Sequence, residues 1–186
     1  VMQVWESFTS GLWHARSADF YELPIVRALA HWRIVPDTII IVFGALPLLL
    51  RHVAAPSQIT VMDFVDNRAR IADSIDRGVR YVTDRVERHN LGEVLGAHLG
   101  EGDILLDLAW NIDCGEIVQW CHDHGVRYLN TSVELWEPYA DAASQDPRER
   151  SLYVRHLALR KRMASWDRPG PTAIMEHGAN PGLVSH

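Results

Sequence analysis

From residue 38 onward the chain alternates short apolar runs with amphipathic stretches. The first run, TIIIVF at Thr38–Phe43, is β-branched and apolar on both faces. A strand of that kind has no side to offer to water, so it belongs inside a parallel sheet covered by helices twice over. Gln58–Asp63 (QITVMD), Val79–Val82, Asp103–Leu108 (DILLDL), Arg127–Asn130 and Pro171–Met175 (PTAIM) predict five further strands. Helical spacing of apolar residues predicts helices over Leu46–His52, Asp66–Arg77, Arg88–Leu99, Gly115–His124 and Pro147–Trp166, with Gly78 and Gly125 closing two of them. This alternation with short connections implies a doubly wound, Rossmann-like α/β domain over residues 38–186, its parallel sheet flanked by helices on both faces. Residues 1–37 do not join the rhythm. They hold Trp5, Trp13 and Trp32 and predict a helical leader, with one helix around Tyr21–Trp32 ended by Pro36.

Composition narrows the function classes. Hydrophobic residues make up 47% of the 186, enough for a packed core. A net charge of −6 argues against a nucleic-acid partner, which would call for a clustered basic excess. Two cysteines without paired spacing exclude a disulfide framework and predict a reducing, cytoplasmic setting. The longest apolar run, Thr38–Leu50, is shorter than a membrane span and is interrupted by Gly44 and Pro47.

In doubly wound sheets ligands lie beyond the carboxyl ends of the strands. That directs attention to Phe43–Ala45, Asp63, Leu108–Asn111, Thr131–Glu134 and Glu176–Asn180. The first strand–turn–helix is the natural dinucleotide site, although its turn carries Gly44 alone rather than a glycine-rich fingerprint. Asp63 follows an apolar strand and stands 19 positions after Gly44. The acidic residue that holds a ribose hydroxyl is expected about 20 residues on. The plainer reading makes Asp63 a strand-end cap for the helix that follows.

The stretches LPLLLRH, ITVMD, DLAWNID, YLNTSVELWEPY and GANPGLVSH resemble the bacterial homospermidine synthases, within the saccharopine dehydrogenase-like oxidoreductases. The resemblance runs from about Thr38 to His186, and GANPG together with NTSVE and the tryptophan after it is its specific part. It implies an NAD-dependent enzyme that oxidises putrescine to an imine, lets a second putrescine displace ammonia, and reduces the new imine. By the same resemblance Gly44, Asp63, Leu108, Ala109, Thr131, Ala179 and Pro181 would bind NAD, with Trp110 beside them. Glu134 and Asn180 would serve catalysis, and Asn111 and Trp136 would meet the polyamine. The family continues beyond this point into a large substrate domain, so these 186 residues by themselves are expected to make no homospermidine. A homodimer is compatible with this reading, and no metal is implied.

Other readings of the same residues stay open. An imine-reducing dehydrogenase of the carboxynorspermidine or saccharopine type would share the domain, and a non-catalytic interaction module would share the fold. A methyl-donor-binding domain would also place an acid after the second strand, but gives no reason for GANPG. Glu134 and Glu137 could be exposed loop charges, Trp136 a packing residue, and Asn180-Pro181-Gly182 a turn. Cys121, His122 and His124 lie within one helical turn but read as structural, as does Cys114, and the arginines of 148–162 read as a solvated face.

Overall fold

In a computed structural model, the protein is described for the backbone of residues 39–40 and for residues 45–109, 111–137, 140, 146, 148–149 and 151–175. Among the described residues six strands form one sheet: β1 (Ile39–Ile40), β2 (Thr60–Asp63), β3 (Arg80–Thr83), β4 (Ile104–Asp107), β5 (Arg127–Asn130) and β6 (Ala173–Met175). Their order is β3-β2-β1-β4-β5-β6, and every pairing is parallel. The predicted leader, its helix at 21–32 and the ends of the first expected strand lie outside the described residues.

The strands bury both faces, as two-sided apolar strands require. Ile104, Leu106, Val61 and Leu129 point to one side, where α1 (Leu46–His52) and the residues around α2 (Ala72–Asp76) cover them with Leu46, Leu49 and Ile71. Leu105, Met62 and Tyr128 point to the other, beneath α3 (Leu91–Gly96), α4 (Cys114–His124) and α5 (Leu152–Ala164). The doubly wound expectation therefore holds in topology and in layering. No helix among the described residues is long and apolar enough to cross a membrane.

Three helices are shorter than the spacing predicts, because side chains take backbone groups that a helix would need. The stretch expected to be helical from Asp66 to Arg77 begins as loop: Val65 N–H donates to Asp63, Asn67 N–H donates to the Tyr81 hydroxyl, and that hydroxyl donates to Val65 O. A 3-10 turn at Arg68–Ile71 then leads into α2. Asn90 closes residues 85–90 by accepting from Glu87 N and donating to Arg85 O, so α3 starts only at Leu91. At α5 the N-cap is Ser151, whose Oγ accepts from Val154 N at 3.4 Å. The arginines of α5 do not all face solvent. Arg155 donates to Val133 O at 3.3 Å and Arg162 pairs with Asp113 at 3.8 Å, so both tie the helix to the loop ends of β4 and β5.

Helix α4 shows the clearest local control. Asp113 caps it by accepting from Glu116 N at 2.9 Å, and Gly125 ends it at φ +72°. A Cβ at Gly125 would lie 2.8 Å from Glu101 Cγ, in a left-handed conformation that side chains resist. Gly125→Ala is expected to cost about 1 kcal/mol or more and lower the thermal midpoint by roughly 2–4 °C, measurable by calorimetry.

Candidate functional site

The order β3-β2-β1-β4-β5-β6 makes the chain leave β1 outward in one direction and return to its other side at β4. The connections after these two neighbours cover opposite faces, which opens a crevice at their carboxyl ends. The loops that border it carry most of the residues singled out in the sequence.

Asp63 closes β2 at this edge. Its Oδ1 accepts from Val65 N at 3.2 Å and its Oδ2 from Asn67 Nδ2 at 2.9 Å. The capping role is thus real, yet a carboxylate has about four acceptor directions and these bonds use two of them. Next to it Phe64 is 62% exposed, with the Arg85 guanidinium 4.9 Å from its ring centre. After β4, Leu108 packs on the α1 side of the sheet, and Ala109 N–H donates to Asp107 Oδ1 at 3.0 Å. Asn111 is held at φ +61°, and its Oδ1 is buried without a partner among the described residues. Trp136 packs against the core under α4, its Nε1 equally without such a partner, and Arg88 lies 5.8 Å from its ring centre. Its ring therefore already faces a cation of this chain.

Beyond β5, Thr131 begins the loop, and the Glu134 carboxylate accepts from Ser132 Oγ at 2.6 Å. The Glu134 main-chain oxygen accepts from Cys114 N at 3.1 Å, fastening the loop to the start of α4. Glu134 is only partly buried, so its side chain is held without being sealed off. Gly44, Trp110, Ala179, Asn180 and Pro181 lie outside the described residues.

One cluster escaped the sequence reading. Asp107 and Asn130 are register partners at the last rungs of β4 and β5, on the face that also carries Tyr128. The Tyr128 hydroxyl donates to Asp107 Oδ2 at 2.6 Å and accepts from Asn130 Nδ2 at 2.9 Å. Asn130 Nδ2 also approaches Ser132 O at 2.6 Å and Cys114 Sγ at 3.1 Å. Tyr128 and Asn130 are sealed from solvent. The signal was present as an aspartate inside DILLDL and a polar pair in RYLN, where strand periodicity alone gave them no distinct role.

Burial governs the protonation of this cluster. It raises the Asp107 carboxyl above its ordinary value, against the hydrogen bonds from Tyr128 and Ala109, and the nearby Glu134 charge pushes the same way. It also raises Tyr128, with the Asp107 and Cys114 charges adding to the effect. Cys114 sits in the first turn of α4, where the helix dipole favours a thiolate. Desolvation outweighs that and pushes its thiol up to about 11. Cys121 is raised further by the same cause. Both cysteines are therefore protonated packing residues. His122 stacks on Trp166 at 4.0 Å and meets Asp123 at 3.0 Å, while His124 stacks on Trp120 at 4.2 Å. Both rings have structural partners.

Three comparisons bear on this geometry. The family model for the saccharopine dehydrogenase NADP binding domain matches residues 43–174. Homospermidine synthase of Blastochloris viridis is 34% identical over 148 residues, and that of Mesorhizobium japonicum 31% over 147; each match covers 76% of this chain and 30% of the relative. Among solved structures, homospermidine synthase from Legionella pneumophila in complex with NAD superposes with a TM-score of 0.60 at 28% identity, covering 81% of this chain and 31% of that one. The chain thus spans about a third of the length of the relatives it matches.

The raised Asp107 carboxyl carries a consequence for stability. The native state keeps this proton at pH values where the unfolded chain, with an aspartate near 3.9, has released it. The stabilisation is complete below the unfolded value and is lost as pH rises through the native one. Denaturant midpoints measured between pH 4 and pH 8 are expected to decline for the parent chain relative to Asp107→Asn, which has no proton to lose.

Proposed function

The chain belongs to the saccharopine dehydrogenase NADP-binding domain family, and on that premise we propose that it binds NAD across the carboxyl ends of β1, β2 and β4 as part of a homospermidine synthase-type aminobutyl transfer. The single observation that supports this most is the parallel order β3-β2-β1-β4-β5-β6 with Asp63 at the end of β2. The free acceptor directions of Asp63 suit ribose hydroxyls and repel a 2′-phosphate, which favours NAD over NADP. Leu108, Ala109 and Thr131 would follow the cofactor along the loops after β4 and β5. Gly44, Ala179 and Pro181 would complete that path. The Asn111 Oδ1, buried and without a partner among the described residues, fits a site that awaits a donor.

NAD supplies a hydride acceptor that later returns the same hydride. The carboxylate of Glu134, steadied by Ser132, would hold an ammonium group of putrescine and stabilise the iminium cation that forms. In the balance of that reaction, one carbon–hydrogen bond of putrescine breaks with its electron pair and one amine proton leaves, giving an imine. A second putrescine adds through its nitrogen and ammonia departs. The returned hydride and a proton then complete homospermidine. Asn180 would join Glu134, and Trp136 would line the amine side. The substrate, the cytoplasmic setting and a possible homodimer belong to this same proposal, as does the derivation of most of the substrate pocket from residues beyond this domain.

Calorimetry and tryptophan quenching with NAD and with NADP test the cofactor half directly. Binding of NAD in preference to NADP is expected, with Asp63→Ala weakening NAD about tenfold or more and narrowing the preference; roughly 1.4 kcal/mol corresponds to each factor of ten. The absence of both heat and quenching at millimolar NAD would overturn the assignment.

A further inference from the structure

The Glu134 side chain, in the loop after β5, does not stand alone. Behind it runs a continuous set of short contacts: Ser132 Oγ to Glu134, Asn130 Nδ2 to Ser132 O, Asn130 Nδ2 to the Tyr128 hydroxyl, and that hydroxyl to Asp107 Oδ2. The main chain of Glu134 is fastened separately, by Cys114 N. The tyrosine at the centre of the set is fully buried, so its hydroxyl has no water to turn to. Asn130 reaches three acceptors with one amino group and leaves its own Oδ1 unpartnered among the described residues. An apolar residue would fill that place without an orphaned oxygen, so packing alone does not account for it.

We propose that Asp107, through Tyr128 and Asn130, is the positioning residue for the Glu134 carboxylate. The proposal rests on the reading of Glu134 as the amine-holding group. The set cannot conduct a proton from one carboxyl to the other, because it passes through an amide nitrogen and a main-chain carbonyl, and neither relays protons at neutral pH. What it transmits is orientation. Asp107 accepts from Tyr128, which fixes the hydroxyl so that it can accept from Asn130. Asn130 then sets the turn at Ser132, and Ser132 aims the carboxylate. The two carboxyl groups also sense each other's charge, and this gives the arrangement a signature that simple packing lacks.

The test uses the 186-residue chain with its glutamate side-chain carboxyls labelled with carbon-13. The Glu134 resonance is assigned by its loss in Glu134→Gln and followed against pH. In the parent chain a second, smaller inflection is expected at higher pH, where Asp107 ionises. Asp107→Asn, which keeps an acceptor for Tyr128, is expected to abolish that inflection and leave the Glu134 signal otherwise in place. Tyr128→Phe, which breaks the set at its centre, is expected to move the Glu134 signal at every pH. With NAD present, it is also expected to weaken putrescine binding about tenfold, whereas Asp107→Asn stays close to the parent. A Glu134 titration identical in all three chains would overturn the proposal. If the titration behaves as expected but putrescine binds the parent chain and Glu134→Gln equally well, the positioning stands and the amine-holding role of Glu134 fails. Should Tyr128→Phe not fold, Asp107→Ala, which removes the same charge and also leaves Tyr128 without its acceptor, takes its place, and a Glu134 signal identical in Asp107→Ala and Asp107→Asn would overturn the proposal.

Discussion

A parallel sheet whose central strands are apolar on both faces has to be covered twice, and that requirement leaves the polar residues of the described central strands at the strand ends. Leu105 faces α3, α4 and α5 while its neighbours Ile104 and Leu106 face α1 and α2, and the same alternation repeats at Val61 and Met62 and at Tyr128 and Leu129. With each central face sealed, the polar side chains of the strands lie at their ends, Thr60, Arg80 and Arg127 where strands begin and a second set at the edge where they finish. Asp63, Asp107 and Asn130 are the last residues of their strands. The reversal of direction between β1 and β4 then separates the covering helices and makes that edge a crevice.

The same burial explains the chemical character of the edge. Cys114 lies where a helix terminus favours a thiolate, but desolvation is the larger effect and leaves it protonated. Asp107 is pushed in the same direction, so a carboxyl deep in the cluster tends to neutrality while Glu134, nearer to solvent, remains free to meet a cation. Depth thus gives Asp107, at the end of β4, and Glu134, in the loop after β5, different surroundings.

At Asp63 the capping bonds leave room for the proposed ribose contact. Its bonds to Val65 and Asn67 hold the loop after β2, with Tyr81 bracing it from the next strand. A loop fixed in this way presents the remaining acceptor directions of the carboxylate in one orientation, which lowers the ordering cost of receiving a hydroxyl.

The short runs apolar on both faces and the helical stretches between them were enough, by themselves, to determine the parallel, doubly wound sheet and the strand-end positions of Asp63, Leu108, Thr131 and Glu134, because burial of two faces leaves a local imprint in each central strand. Helix lengths at 66–77 and 88–99 were not legible, since Asp63, Tyr81 and Asn90 capture backbone groups through contacts that no local pattern encodes. Nor were the contacts of Arg155 and Arg162, whose partners come from other loops. The Asp107–Tyr128–Asn130 cluster was decided by tertiary structure alone. Asp107 sits on β4 and Tyr128 and Asn130 on β5, and only the register of the two strands and the arrival of Cys114 from α4 bring the cluster together.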